Sequence, residues 1–461
     1  MDLKNKTVVI MGLGLAGGGV EDALFCLRNG AIVIVTDTKE AHDLSRSLDA
    51  LKGHTVTLHL GGHVRKDFEA ADLIIRNPAI PDTSPFLAIA REHNVPIEMG
   101  SGLFARAADM GKVIGVTGTK GKSTTTALIH CALQTKYPDA YKGGDVDGSP
   151  LKFLDHNRRG VWGVIELSSW RLEGMAPHKK SPHIAVITSI AQDHLNRYDS
   201  YDSYKAAKKI IVQFQSAHDF AILNHESEYL RSIAPRIASN ILWFSGKQKP
   251  VSEFGKVGWY HEDGVLYGDK EQVAYKDIRC KAVHHPSNIA ATLTVASLFD
   301  ISLEDSLSAI QSFPGLFGRL QLVRTIQGIQ WYNDTAATNP YAVQQSIDAI
   351  GTSNLAVIVG GEDKDLDFAD LAKALKRVPF VFILPGSASE KIHRENTKYN
   401  AVLVPVATVH EAVQKAYECS PRAVLFSPGA ASFNMFKNEF DRGEEFIRCV
   451  TSLAYDVENL E

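Results

Sequence analysis

Short β-branched runs that break off at Gly, Asp, Asn-Pro, Ser or Thr constrain this chain more tightly than any other feature. TVVIMGLG, AIVIVTD, TVTLHLGG and DLIIRNP open the sequence in this way, and a helical pattern over 21–29 separates the first two. Such alternation predicts a parallel α/β sheet with its polar loops at the strand ends. A second unit follows MGSGLF near residue 100 and starts with KVIGVTGTKGKSTTTALIHCAL, a buried strand, a glycine loop and a helix. Strands in GVWGVIELSS and HIAVITSI and a helix over about 203–214 continue it. Residues 240–283, rich in Gly, Lys and aromatics without helical period, predict short antiparallel strands. FPGLFGR reads as a linker into a third alternating unit, with strands in LAVIVGGEDK, VFILPGS, AVLVPVAT and AVLFSPGAAS.

Size and charge agree with that pattern. At about 150 residues per domain, 461 residues suggest about three domains. With 44% hydrophobic and 22% charged residues the chain can fill several cores, which excludes disorder, collagen-like repeats and coiled coil. Lys+Arg number 49 and Asp+Glu 53, so the net charge is 49 − 53 = −4, and no long basic run is present. Nucleic acid and anionic membranes are therefore poor main partners, whereas local phosphate sites remain open. No apolar run approaches the roughly 18 residues needed to span a bilayer. Lys4 and Lys6 precede an apolar stretch as in a signal peptide, but glycines interrupt it and Glu21 and Asp22 follow at once. The cysteines, Cys26, Cys131, Cys280, Cys419 and Cys449, lie far apart with no C-x-x-C, which predicts neither zinc site nor disulfide framework and fits a reducing cytoplasm. Cys26 and Cys131 fall in helix-patterned stretches, where a free thiol acts as a small apolar residue.

Two glycine loops carry most of the chemistry. Gly12-Leu13-Gly14-Leu15-Ala16-Gly17 is a complete G-x-G-x-x-G between strand and helix, and Asp37 ends the next strand. This is the dinucleotide fingerprint, in which the backbone approaches a pyrophosphate at a helix N-terminus and the acid receives ribose hydroxyls. Another diphosphate nucleotide held by the same geometry, or a purely structural turn, would give the same string. The second loop, Gly118-Thr119-Lys120-Gly121-Lys122-Ser123-Thr124, misses the strict Walker A pattern because Val116 stands where its first glycine would be. Its physical content survives: loop amides to cradle phosphates, a point charge at Lys122, and Ser123 or Thr124 to ligate Mg²⁺ at a helix start. Glu166 ends a later strand where a Walker-B-like carboxylate would reach Mg²⁺, and Asp193-His194 ends the next.

These stretches together resemble the Mur ligase family over nearly the whole chain. GLGLAGGG with TDT, GTKGKST, ELSSWRLE, DHLNRY, YKAAK, HHPSN, GLFGR, NDTAATN, GGEDKD and SPGAASFNMFKNEFDRG occur in the family's order. The resemblance implies an α/β protein of three domains: Rossmann-like over 1–100 for a UDP-linked substrate, a central P-loop ATPase domain over 101–315 for ATP and Mg²⁺, and a Rossmann-like domain over 316–461 for an amino acid. It implies an ATP-dependent carbon–nitrogen ligase that adds D-glutamate to UDP-N-acetylmuramoyl-L-alanine through an acyl phosphate, in cytoplasmic peptidoglycan precursor synthesis. It further implies a monomer whose domains close during the reaction.

Site residues follow from the same resemblance. Lys122 would hold the β/γ phosphates within the loop of Gly118, Thr119, Lys120, Gly121, Ser123 and Thr124. Ser123 or Thr124 with Glu166 would hold one Mg²⁺, and His194 a second. Lys208, selected from the basic face of YKAAKKI by its spacing from Tyr204, matches the family's carbamylated lysine. Asn288 would contact adenine, Arg319 the transferring phosphoryl group and Asp334 the nucleotide ribose. Leu15, Ala16, Asp37, Thr38, Asn77 and Asp145 fall on the side of the UDP substrate, and Thr338, Lys364, Ser432 and Phe433 where glutamate is gripped.

The chain departs from the family pattern at five places. Asp145 stands in GGDVDG for the Asn of GGNIG, and Ala336 in NDTAATN for a lysine. His285-Pro286 replaces HN, FGR replaces PHR, and Glu439 replaces the aromatic after FKN. They keep a second reading open: a related ligase with another amino acid or acceptor, such as L-glutamate. A nicotinamide oxidoreductase would use the first loop but leave the second unexplained. A regulatory protein without turnover would fit Asp145 and Ala336.

Overall fold

The structure, a computed structural model, describes residues 2–14, 17–144, 148–157, 159–193, 197–278, 285–433 and 435–458. Leu15, Ala16, Asp145 and His194 lie outside the described residues.

Among the described residues, three sheets carry the fold. The first contains β1 (Thr7–Met11), β2 (Ile32–Asp37), β3 (Val56–Leu60), β4 (Leu73–Arg76) and β5 (Ile97–Glu98) in the order β3-β2-β1-β4-β5. All its pairings are parallel. Strand order reverses at β1, so the loop after β1 opens into the crevice where α/β sheets take ligands.

The second sheet contains β6 (Val113–Thr117), β7 (Tyr141–Gly144), β8 (Gly163–Glu166), β9 (Ile184–Ile187), β10 (Phe220–Asn224), β11 (Asn240–Ser245), β12 (Lys256–Glu262), β13 (Val265–Tyr267) and β14 (Gln272–Ala274). Its order is β14-β13-β12-β11-β10-β9-β6-β8-β7. β6 is central, parallel to both β8 and β9, and every one of its residues is buried. The expectation of antiparallel strands over 240–283 holds for β12 and β13, which the turn at Asp263-Gly264 folds back antiparallel, but needs correction at β11 and β12, which pair in parallel.

The third sheet contains β15 (Gln321–Ile326), β16 (Ile329–Asn333), β17 (Leu355–Gly360), β18 (Phe380–Leu384), β19 (Leu403–Pro405) and β20 (Ala423–Phe426) in the order β15-β16-β20-β17-β18-β19. An antiparallel hairpin, β15-β16, precedes the parallel strands.

The chain forms two compact units. The first spans 1–190, 205–273 and 290–307 and the second 191–204, 274–289 and 308–461. One continuous core runs through the first two sheets, from Val8, Ile10 and Val35 through Leu103 and Phe104 to Phe153, Ile165 and Ile187. The reason lies in the Gly100–Ala107 helix at MGSGLF, in which Gly100 through Ala105 are buried. It packs on the Ser169–Met175 helix, where a Cβ on Gly174 would come within 2.4 Å of the Ser101 hydroxyl. In the second unit, cores on the two faces of the third sheet are built around Val357, Ile383 and Leu425 and around Trp331, Phe426 and Phe446. Among the described residues no helix is long and apolar enough to cross a membrane.

Candidate active site

The first loop is built as its sequence requires. Gly17 caps the Gly18–Arg28 helix in the left-handed region at φ 81°. Gly19 admits no side chain, because a Cβ would lie 2.5 Å from the Leu13 carbonyl, so helix and strand approach closely. Asp37, 6% exposed, accepts from Gly14 N at 3.2 Å and from Lys39 N at 3.0 Å, which sets the loop's shape. Asn77 closes the other side: its Nδ2 donates to the Gly12 carbonyl at 3.2 Å and its Oδ1 accepts from Ala79 N at 3.0 Å. Thr38 is exposed at the rim.

The second loop joins β6 to the Lys122–Gln134 helix. Thr119 N donates to the Ser189 carbonyl at 2.8 Å and Lys120 N to Ser189 Oγ at 2.9 Å, which fastens the loop to the end of β9. Gly118 fits only without a side chain: at φ 151° its Cβ would lie 2.0 Å from Thr188 Oγ1. Thr188 and Ser189 therefore shape the cradle, although the sequence reading gave them no role; their place beside Thr117 across the ladder is the signal. Lys122 Nζ donates to the carbonyls of Gly118 at 3.1 Å and Thr119 at 3.3 Å. Lys208, in the Tyr201–Gln213 helix and 2% exposed, donates its Nζ to the same Gly118 carbonyl at 2.9 Å. The structure thus brings two of the expected lysines onto one loop carbonyl.

Ser123, 5% exposed, has a buried hydroxyl oxygen with no hydrogen-bond partner in the protein. Thr124, second in line on the same helix, is half-buried. Glu166, 4% exposed, ends β8 in register with Val116 of β6 and Gly144 of β7. The set fits Mg²⁺ bound beside phosphate: a hard cation takes hydroxyl and carboxylate oxygen and completes its shell with phosphate oxygens. Among the described residues no group of three His, Cys, Asp or Glu gathers to hold a metal without such help.

In the second unit, Asp334 is 6% exposed and strongly engaged. Its Oδ1 accepts from Leu320 N at 3.1 Å, and its Oδ2 from the hydroxyls of Ser346 at 2.6 Å and Ser427 at 2.7 Å. Burial pushes its carboxyl above the usual range, against those donors and the charge of Arg319. A ribose contact would use the lone pairs that remain. Arg319 is half-buried in the FGR turn, and Asn288 is half-buried in the first turn of the Pro286–Leu298 helix. Lys364 Nζ donates to Thr338 Oγ1 at 3.2 Å, so two residues expected on the amino-acid side meet. Ser432, 2% exposed, keeps a buried hydroxyl with no protein partner, and Phe433 beside it is 71% exposed. Two further residues hold these loops. Asn339 bonds Asp193, and Arg442 ties Thr335 to Ala430.

Comparison with known proteins decides the family. Residues 6–99 match the N-terminal domain of MurD-like Mur ligases, 116–296 the Mur ligase middle domain, and 318–429 the Mur ligase glutamate ligase domain. The chain belongs to the Mur ligase family. Among curated Mur ligases, the UDP-N-acetylmuramoylalanine--D-glutamate ligase of Roseiflexus sp. (strain RS-1) is 38% identical, with 98% of this chain and 100% of the relative aligned. That of Borreliella afzelii (strain PKo) is 32% identical over 98% of this chain and 99% of the relative. Solved Mur ligases share the fold. The UDP-N-acetylmuramate-alanine ligase of Thermotoga maritima aligns over 97% of this chain and 100% of its own, with TM-score 0.63 at 18% identity. A MurF ligase of the same organism, solved with ADP, gives TM-score 0.58 at 18% identity over 97% of this chain and 95% of its own.

Proposed function

We propose that this Mur ligase joins D-glutamate to UDP-N-acetylmuramoyl-L-alanine at the expense of ATP, as a cytoplasmic monomer making a peptidoglycan precursor. The observation that carries the reading is the second loop, where two lysines converge on the Gly118 carbonyl and the buried Ser123 hydroxyl is left open at a helix start. Similarity to D-glutamate ligases along the full chain supports the choice of substrates.

The chemistry follows from the weakness of a carboxylate as acyl donor, since its leaving group would be oxide. The alanine carboxylate attacks the γ-phosphorus of ATP, ADP leaves, and an acyl phosphate results. The amine of glutamate adds to its carbonyl, the amine proton is lost, and the tetrahedral intermediate collapses to amide and phosphate. Catalysis is then mainly positioning and charge neutralisation. Lys122 and the loop amides of Gly118–Gly121 hold the β and γ phosphates. Mg²⁺, held by Ser123 or Thr124 and Glu166, neutralises phosphate charge when bound. Lys208 as its carbamate, with His194, would serve a second ion. Carbamylation leaves one N–H, so the bond to the Gly118 carbonyl would survive it. Arg319 meets the transferring phosphoryl group, Asn288 adenine and Asp334 ribose. Asp37, Thr38 and Asn77, with Leu15, Ala16 and Asp145, receive the UDP substrate. Thr338, Lys364, Ser432 and Phe433 receive glutamate, whose carboxylate suits the Lys364 ammonium and the open Ser432 hydroxyl.

The test is phosphate release from ATP with UDP-N-acetylmuramoyl-L-alanine and an amino-acid panel containing both glutamate enantiomers, with product masses. D-Glutamate should stimulate release and add its mass to the product. Stimulation by another amino acid alone would move the assignment to a sister ligase, and no stimulation by any would end it.

A further inference from the structure

Arg171 reaches from the helix after Glu166 to the helix behind the first loop. It lies in the Ser169–Met175 helix, which starts three residues after Glu166 and is capped by the Ser168 hydroxyl accepting from Arg171 N at 3.4 Å. Its guanidinium leaves that helix toward the first sheet. Nη2 donates to the Gly148 carbonyl at 2.7 Å and lies 3.7 Å from where a Gly18 Cβ would be, at the first turn of the helix behind the first loop. The residue is 8% exposed.

Asp22 completes the arrangement from the first sheet's side. It is 5% exposed on the Gly18–Arg28 helix, lies beside the Ser149 side chain and feels the charge of Arg171. A Cβ on Gly100 would come within 2.4 Å of its Oδ1, so that glycine makes room for the carboxylate. Two other ion pairs cross here, Lys152 with Glu21 at 3.6 Å and Arg28 with Asp155 at 3.7 Å, but each has a half-exposed member and contributes little. Losing the bond from the buried Arg171 guanidinium to the Gly148 carbonyl costs more.

The ligase reading makes this spacing matter. A UDP-linked acyl substrate must place its diphosphate at the first loop and its carboxylate at the second, so the distance between loops acts as a ruler for substrate length. We propose that Arg171 and Asp22 are positioning residues that set this ruler, and through it the preference for a substrate of one length; the proposal rests on the ligase reading. They hold the Gly148–Ser149 segment and the Glu166 helix against the helix of the first loop, and they act on the far end of the substrate without altering either phosphate cradle.

The test compares a fragment with the whole. Binding of UDP, of UDP-N-acetylmuramic acid and of UDP-N-acetylmuramoyl-L-alanine is measured by calorimetry on the full chain and on Arg171→Ala and Asp22→Asn, with KM for ATP. Both variants should bind UDP and ATP within about twofold of wild type, yet bind the alanyl substrate about tenfold more weakly and lose most of its margin over the shorter acid. The isosteric Asp22→Asn, checked by thermal melting, carries the test if Arg171→Ala does not fold. Equal weakening of UDP and the whole substrate, or no weakening of either, would overturn the ruler. Wild-type protein that binds UDP but turns over no alanyl substrate would instead overturn the ligase reading, and the ruler with it.

Discussion

Asn339 Nδ2 donates to Asp193 Oδ2 at 2.8 Å, and the two side chains are 1% and 5% exposed. The same amide caps a helix: its Oδ1 accepts from Ala342 N at 2.9 Å at the start of the Pro340–Ile350 helix. One side chain therefore fixes both the helix after Thr338 and the acid before His194. Asn339→Ala should lose a cap, worth about 1 kcal/mol, and leave a buried acceptor short of a donor, about 1–3 kcal/mol more. Asn339→Asp keeps the cap but sets two carboxylates at hydrogen-bond distance, so its loss should grow as pH rises through the carboxylate range. Urea unfolding midpoints at two pH values separate the variants. Equal losses at both pH values would remove the charge explanation.

Arg442 works at a neighbouring place by different means. Its Nε donates to Thr335 Oγ1 at 3.1 Å, its Nη2 to the Thr335 carbonyl at 2.9 Å and its Nη1 to the Ala430 carbonyl at 3.1 Å. It is 2% exposed, and burial lowers its pKa to about 10. Lysine cannot reproduce three directed bonds from a planar fork. Arg442→Lys should lower the melting temperature by several degrees, the equivalent of about 2–3 kcal/mol, and raise KM for the amino acid more than KM for ATP. A variant with wild-type melting would show that these bonds add nothing.

Much of this was legible in the sequence. The strand–glycine–helix strings located both loops because their chemistry is local: β6 must end where Gly118 turns, and Gly19 must lack a side chain where helix meets strand. The edge pieces were not legible. β5 has two residues and β7 reads YKGG, too short and too glycine-rich to show a period. The parallel pairing of β11 with β12 is set by the sheet they extend, not by their own residues. Among site residues, Asn339, Arg442, Thr188 and Asp22 act through partners 68 to 146 positions away or on other elements, a relation no spacing along the chain records.

Lys122→Ala removes the ammonium that bridges the Gly118 and Thr119 carbonyls and would meet the γ-phosphate. Turnover should fall by at least about a thousandfold, the scale of losing a charge used in phosphoryl transfer. Calorimetry should still find UDP-substrate binding close to wild type, because the first loop is untouched. Loss of both would point to a damaged fold, not a lost contact.

Lys208→Ala leaves a cavity beside Gly118 as well as removing a donor to its carbonyl. If the working form is the carbamate, the missing group is a small carboxylate on a stem, and formate or acetate should restore part of the activity in a saturable way. Chloride at the same concentration is the control for ionic strength. No difference between the salts would leave Lys208 as a plain ammonium that steadies the loop.

Asp22 gives the chain a pH-dependent stability with an unusual sign for an acid. Burial raises its carboxyl from 3.8 to about 6, against the Ser149 side chain beside it and the charge of Arg171. The folded protein therefore holds this proton more tightly than the unfolded chain. The group favours folding most below the unfolded value, loses that contribution as pH rises from about 4 to about 6, and is constant above. A shift of this size corresponds to about 3 kcal/mol as an upper bound. Asn at this position resembles the neutral acid at every pH, so Asp22→Asn should gain on wild type across that interval and keep its lead at pH 8. Denaturant unfolding of both proteins at pH 4.5, 6 and 8 measures the difference. A lead that does not grow with pH would mean that Arg171 and Ser149 hold the carboxylate ionised throughout.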